Sequence, residues 1–210
     1  IRKLNDEADA GPMDRETSEK FIHRGTVRTA MFTVWFGLTV GSTVPWLWMM
    51  SIDAHWYSTM YSWYTFVSSF VAGMSLVALF VVYLKNRDYL EYVTEEHLHD
   101  IGKFMFAFSI FWTYVWFAQF LLIYYANMPE ETIYFLERWE GHNKVYKAVE
   151  ILNVFMNFFF PFLIMMTRDA KRTPIFLKIC CFFVIVGHYL DFYQMIMPGT
   201  VGPHGGVGLV

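Results

Sequence analysis

The sequence predicts an all-α integral membrane protein, a bundle of five transmembrane helices, and three observations carry that prediction. Of its 210 residues 56% are hydrophobic and only 17% charged, too apolar and too poor in charge for a soluble domain of this size. The apolar residues gather into five runs, 29–50, 57–84, 104–127, 145–166 and 175–197, each reaching the roughly 20 residues a helix needs to cross about 30 Å of hydrocarbon. Membrane strands, by contrast, run about 10 residues and alternate apolar with polar. Helices therefore win.

The elements follow in order. A polar segment, 1–28, precedes the first run, where Gly37-x3-Gly41 forms a small-residue face and Pro45 predicts a bend. Tyr and Trp cluster where the first run ends and the second begins, in "PWLWMM" and "HWYSTMYSWY", as amphipathic rings do at a headgroup layer. Between them Asp53 is expected to cap the next helix. The second run carries Ser69-x3-Gly73, and with Gly37-x3-Gly41 this argues for a tight bundle. The loop "EYVTEEHLHDIGK", with His97 and His99, reads as a short amphipathic surface helix. The third run halts at "NMPEE", where Pro129 can start a short interfacial helix whose first turn welcomes Glu130 and Glu131. The fourth contains Pro161, and the fifth leads to a tail, 198–210. The chain opens on Ile with a polar run, showing no signal-peptide pattern, and it closes on a rising apolar stretch. Both ends are expected to be incomplete.

Orientation comes from the cations. Thirteen of the sixteen Lys and Arg residues fall before the first run, after the second and after the fourth; the other side holds Arg138, Lys144 and Lys147. The positive-inside rule places the 1–28 segment in the cytoplasm and Asp53, Glu130, Glu131 and the tail outside.

Chemistry is carried by the polar groups inside the runs. An ionisable side chain in hydrocarbon costs at least about 2.5 kcal/mol, so it faces protein or water. His188 and Asp191, three residues apart on one helix face, are placed to share a proton or a hydrogen bond. Glu150, Asn153 and Asn157 form a polar stripe on the fourth run, and Ser109, Trp112, Trp116 and Gln119 one on the third. Two readings stand side by side. The amides can be interhelical glue, and Glu150, near a helix end, can snorkel to the surface; or these stripes meet and handle protons. Cys180 and Cys181 are the only cysteines, so haem attachment and iron–sulfur spacings are missing, and they read as core filler. Of the seven histidines only His188 lies well inside a run, which leaves no bis-histidine haem site. No phosphate loop, Ser-His-Asp order or nucleic-acid face is present.

Three strings, "SIDAHWYSTMYSWY", "HLHDIGKFMFAFSIFWTYVWFAQFLLIYYANMPEE" and "PFLIMMTRDAKR", resemble the second large membrane subunit of the bacterial alternative complex III, a quinol:cytochrome c (or other acceptor) oxidoreductase. That subunit is of the polysulfide-reductase-like, NrfD-type family, and the resemblance runs over about residues 28–198. It implies a parent of about ten transmembrane helices, of which this chain would be an internal portion, in a bacterial inner membrane. It further implies a homologous NrfD-type subunit, an iron–sulfur subunit, multihaem and monohaem cytochromes c and a terminal oxidase as partners. Haem c and iron–sulfur clusters would sit in those partners, with a quinone or menaquinone the one candidate ligand here and no cofactor bound by this chain.

Function is then expected to be a non-redox subunit supporting quinol oxidation, with a proton path of His188 and Asp191 flanked by Gln119, Asn157, Asn153 and Glu150. Asp53, His55, Glu130 and Glu131 would form an outer acidic mouth. The rivals are a structural scaffold without a proton role and a stand-alone transporter or channel.

Overall fold

Residues 14–140 and 144–201 are described in a computed structural model, and among them the chain forms helices and their connecting turns. Arg2, Lys3, His142, His204 and the tail beyond residue 201 lie outside the described residues. Helix α1 covers Arg15–Leu38 and continues through π-helical stretches Thr39–Thr43 and Pro45–Met49 into a 3-10 turn, Met50–Ile52. Helices α2 (Met60–Lys85), α3 (Glu95–Ala126) and α4 (Pro129–Trp139) follow. Helix α5 is assembled from Lys144–Val154, a π-helical stretch Phe155–Phe159 and Phe160–Met165. The short α6 (Arg168–Arg172) precedes α7 (Pro174–Val201).

Five helical stretches are long and apolar enough to cross a membrane: Glu16–Ile52, Met60–Lys85, Glu95–Ala126, Val145–Met165 and Pro174–Val201. This is a multi-pass membrane protein. The reason is elementary, since backbone amides in hydrocarbon find partners only within a helix or a closed barrel. At 1.5 Å per residue the 26 residues of α2 span about 39 Å, enough for the hydrocarbon layer and its margins.

The spans differ from the expected runs where polar residues extend a helix. Helix α1 begins at Arg15, fourteen residues before the first apolar run, because "RETSEKFIHRGTVR" continues the same helical ladder. Helix α3 begins at Glu95, so the separate surface helix expected around His97 and His99 does not exist. These histidines occupy its first turns. Thr94 caps the helix and His97 Nδ1 accepts from the Thr94 amide at 3.1 Å, while Glu95 and Glu96 meet the positive end of the helix dipole. At the far end Asn127, with φ 48°, closes α3 in the left-handed conformation that Asn tolerates, and Pro129 opens α4 one residue after Met128. Helix α7 continues past Pro198 to Val201.

Neither Pro45 nor Pro161 ends its helix. Pro45 opens the second π-helical stretch of α1, and Pro161 follows the π-helical stretch of α5; the wider turn absorbs the hydrogen bond that proline cannot make. The expected small-residue faces also work differently. A Cβ at Gly37 or Gly73 would meet nothing within 4 Å, and one at Gly41 would sit 3.7 Å from Phe66. The close approaches are at Gly187, whose added Cβ would collide with the Asn157 carboxamide, at Gly199, where it would lie 3.0 Å from Ile52, and at Gly102, where it would lie 3.1 Å from Lys171.

Helices α2, α3, α5 and α7 enclose the core. Toward the Glu96 end it is a dry layer of Val71, Ala78, Val82, Leu98, Met105, Met165, Leu177, Cys180, Cys181 and Val184, each at most 1% exposed. Both cysteines pack there as free thiols, Cys181 against Met105 at 3.8 Å. Toward the Asp53 end the same four helices turn polar. That half holds the site.

Candidate functional site: a buried carboxylate linked to one end of the bundle

Each enclosing helix contributes one polar stripe. From α7 come His188, Asp191 and Gln194, from α5 Glu150, Asn153 and Asn157, from α3 Ser109, Trp112, Trp116 and Gln119, and from α2 Tyr61, Tyr64, Thr65 and Ser68. All are buried except Trp116, which is half-buried. The spacing of three and four residues keeps each stripe on one face, and the four faces converge.

Asp191 is the centre, with no exposed surface. Its Oδ1 accepts from the Tyr64 hydroxyl and from Asn153 Nδ2 at 2.9 Å; its Oδ2 accepts from Ser68 Oγ at 2.8 Å and Trp112 Nε1 at 2.9 Å. Four donors, two per oxygen, fill the lone-pair sites a carboxylate offers. Asn157 donates in turn to the Asn153 carbonyl oxygen, so the α5 amides form a relay of hydrogen bonds ending on the acid. The π-helical stretch of α5 and the bare backbone of Gly187 let Asn157 lie against α7.

His188 does not bond Asp191 directly, as its Nδ1 lies 3.8 Å from Oδ2. Ser68 stands between them, with Oγ 2.9 Å from His188 Nδ1 and 2.8 Å from Asp191 Oδ2. A hydroxyl has one proton to donate. If Ser68 donates to Asp191, His188 Nδ1–H can donate to Ser68; if Asp191 carries a proton, the chain can reverse. The expected shared bond is thus replaced by a bridged one, because side chains three apart on α7 leave a gap that fits one hydroxyl.

Toward the Asp53 end a cavity of about 30 Å³ continues the polar track, walled in part by Tyr64, Gln119, Glu150, Gln194 and Arg138. Glu150 is only 8% exposed and accepts from Trp116 Nε1 at 2.7 Å, so it is buried and does not snorkel. Gln119 lines this cavity, donating weakly to Val115 O at 3.4 Å, and it touches Glu150's surroundings instead of Asp191. Arg138 is 3% exposed: Nη1 donates to Tyr134 O at 2.8 Å, its guanidinium lies 3.4 Å above the Tyr134 ring, and Asp53 Oδ2 is 3.6 Å away. Trp56 stacks on Tyr134's ring at 3.9 Å. Burial pushes the Tyr134 phenol up to about 12, against the lowering pull of the Arg138 cation.

The expected acidic mouth is not one cluster. Asp53 turns inward to Arg138 and does not cap α2, which starts after Thr59. Glu131 accepts from the Tyr57 hydroxyl at 2.9 Å and so raises that phenol above its usual range. His55 and Glu130 are exposed. Sequence reasoning missed Tyr64, Ser68, Gln194 and Arg138. The serine–tyrosine stripe of α2 was a usable signal for two of them, repeating at the same spacing as the stripes on α3 and α5.

A quinone ring does not fit the cavity, which is about a tenth of the smallest ligand pockets, roughly 300 Å³. Larger grooves of about 320 and 250 Å³ lie between α1 and α2, lined mainly by apolar groups, with Ser42, Ser62 and Ser69 hydroxyls and the Trp46 and Trp63 indoles as their polar side chains. Among the described residues no three His, Cys, Asp or Glu side chains gather as a metal site. Compared with known proteins, the chain matches no family model and no curated protein.

Proposed function

We propose that this chain is a non-redox membrane subunit that handles protons, within a quinol-oxidising respiratory complex of the alternative complex III type. The observation that carries the proton role is the Ser68 bridge between two buried titratable groups, His188 and Asp191. Glue alone requires no titratable pair, whereas a proton relay requires two such groups joined by a hydroxyl that can accept from one and donate to the other. The placement in that complex rests on the resemblance of the three quoted strings.

On this reading the Asp53 end faces outward and the 1–28 segment lies in the cytoplasm of a bacterial inner-membrane protein, with haem c and iron–sulfur clusters in partner subunits. Electrons bypass this chain. Two measurements test the two parts separately. The full-length chain, tagged in its host and purified in mild detergent, should bring down iron–sulfur and cytochrome partners with a c-type haem band in the reduced-minus-oxidised spectrum. A colourless protein purified alone, from a preparation where other complexes stay intact, overturns the complex and favours a transporter. Asp191→Asn, measured on protein that has assembled, should lower turnover about a hundredfold or more, the scale of a lost proton-transfer group. Unchanged turnover would make the centre a scaffold.

A further inference from the structure

The proton reading leaves Arg138 unexplained. A cation buried to 3% exposure is unusual in itself, and its surroundings do not satisfy it. Nη1 is used by Tyr134 O, while Nε and Nη2 are buried without a hydrogen-bond partner. The same wall carries a second orphan donor, Trp56 Nε1. Buried donors left unmade are costly, and here several share one small space with the Glu150 carboxylate and the amides of Gln119 and Gln194.

The volume decides what fills it. About 30 Å³ is too small for an organic ligand and suits roughly two water molecules, each of which needs about 10–15 Å³ and two to four polar partners. We propose that this cavity is a water-binding site in which bound water bridges the Arg138 guanidinium to the Glu150 carboxylate, closing an ion pair that the side chains do not make directly. Arg138 is the positioning residue of this site. It is held from behind by the Tyr134 ring, which is backed by Trp56, and it is anchored on its far side by Asp53.

The consequence deepens the proton reading, on which it partly rests. Water at Glu150 links Tyr64, which bonds Asp191 and lines the cavity, to the Asp53 end. Arg138, ion-paired with Asp53, stands beside that exit as a fixed positive charge and opposes entry of free cations into the cavity.

Two measurements on the intact protein, neither using turnover, test the site. The first is hydroxyl-radical footprinting of the unmodified protein by X-ray radiolysis, which labels side chains beside bound water even where bulk solvent cannot reach. Trp56 and Tyr61, both buried and both lining the cavity, should label several-fold faster than Trp112, which is fully buried and off the cavity. Rates as slow as Trp112's would mean a dry cavity and overturn the proposal. The second compares Arg138→Gln, Glu150→Gln and the double variant by thermal unfolding in detergent. A water-bridged ion pair predicts that the double variant loses clearly less than the sum of the two single losses, because each single change strands a buried charge and the double change removes both. Additive losses would overturn it, and if a single variant does not fold, the footprinting result stands alone. A silent Asp191→Asn variant would remove the proton role and leave this water site untouched.

Discussion

At Asp191 each of the four donors is worth measuring, because they differ in what else they do. Trp112 only donates, so Trp112→Phe keeps an aromatic ring but removes one charge-assisted hydrogen bond, with an expected loss of about 1.5–3 kcal/mol of stability from the bond and a further loss from the space the indole vacates. Ser68 both donates and connects. Ser68→Ala should cost a similar amount in the same unfolding assay and in addition lower proton-coupled turnover about tenfold or more, which Trp112→Phe should not. Equal turnover in the two variants would remove the bridge from the mechanism. His188, Asp191, Asn153, Asn157 and Glu150 were readable in the sequence as polar residues at helical spacing within apolar runs, and the structure brings all five into one half of the bundle. What could not be read was contact. Ser68 looked like any membrane serine that returns its hydroxyl to its own backbone, as Ser75 does to Val71 O, and only the approach of α7 makes it a bridge. Arg138 was counted as a loop cation because its burial depends on α4 folding back over the bundle end.

Helix packing at the site depends on backbone positions that carry no side chain. Gly187 admits the Asn157 carboxamide, which an added Cβ would strike, so Gly187→Ala should push α5 from α7 and loosen the Asn153 bond to Asp191. The expected cost is about 1–3 kcal/mol, in the range of overpacked interiors. Gly37→Ala is the control, since nothing lies within 4 Å of its added Cβ; it should be neutral within about 0.5 kcal/mol in the same assay. A loss at Gly37 as large as at Gly187 would mean that the α1 face meets a neighbour the structure does not show. The sequence pattern singled out the wrong glycines for a physical reason. Small residues four apart permit close approach but do not cause it, and the neighbour across α1 is a loose groove while the neighbour across α7 is a polar side chain seeking a partner. Prolines misled less. Their bends were expected, and the π-helical stretches beside Pro45 and Pro161 show that the helices widen instead of stopping.

Each crossing carries the chain to the other side, so successive connections alternate between faces and the molecule makes a prediction about labelling. A cysteine placed at exposed Tyr92, between α2 and α3, and one at exposed Glu130, at the start of α4, should react with a membrane-impermeant maleimide from opposite faces of sealed vesicles. Native Cys180 and Cys181 are fully buried and should stay silent until the protein is denatured. Both new cysteines reacting from the same face would break the five-span topology. The number of spans was legible because hydrocarbon thickness dictates helix length; the true starts of α1 and α3 were not, because a helix outside hydrocarbon obeys capping and propensity, and "EEHLHDIGK" satisfies both. The dry layer between the polar half and the Glu96 end has a last consequence of an electrical kind. Polar and charged groups reach from the Asp53 end inward to Asp191, while the layer around Val71, Met105, Cys181 and Val184 is apolar apart from Ser75, whose hydroxyl is spent on Val71 O. A membrane voltage therefore falls mainly across that thin apolar stratum, and a proton forced through it does work of about 2.3 kcal/mol per 100 mV. The bundle is built like a capacitor with one plate drawn inward, and under the proposed proton role whatever moves the plug of side chains in that stratum controls the charging current.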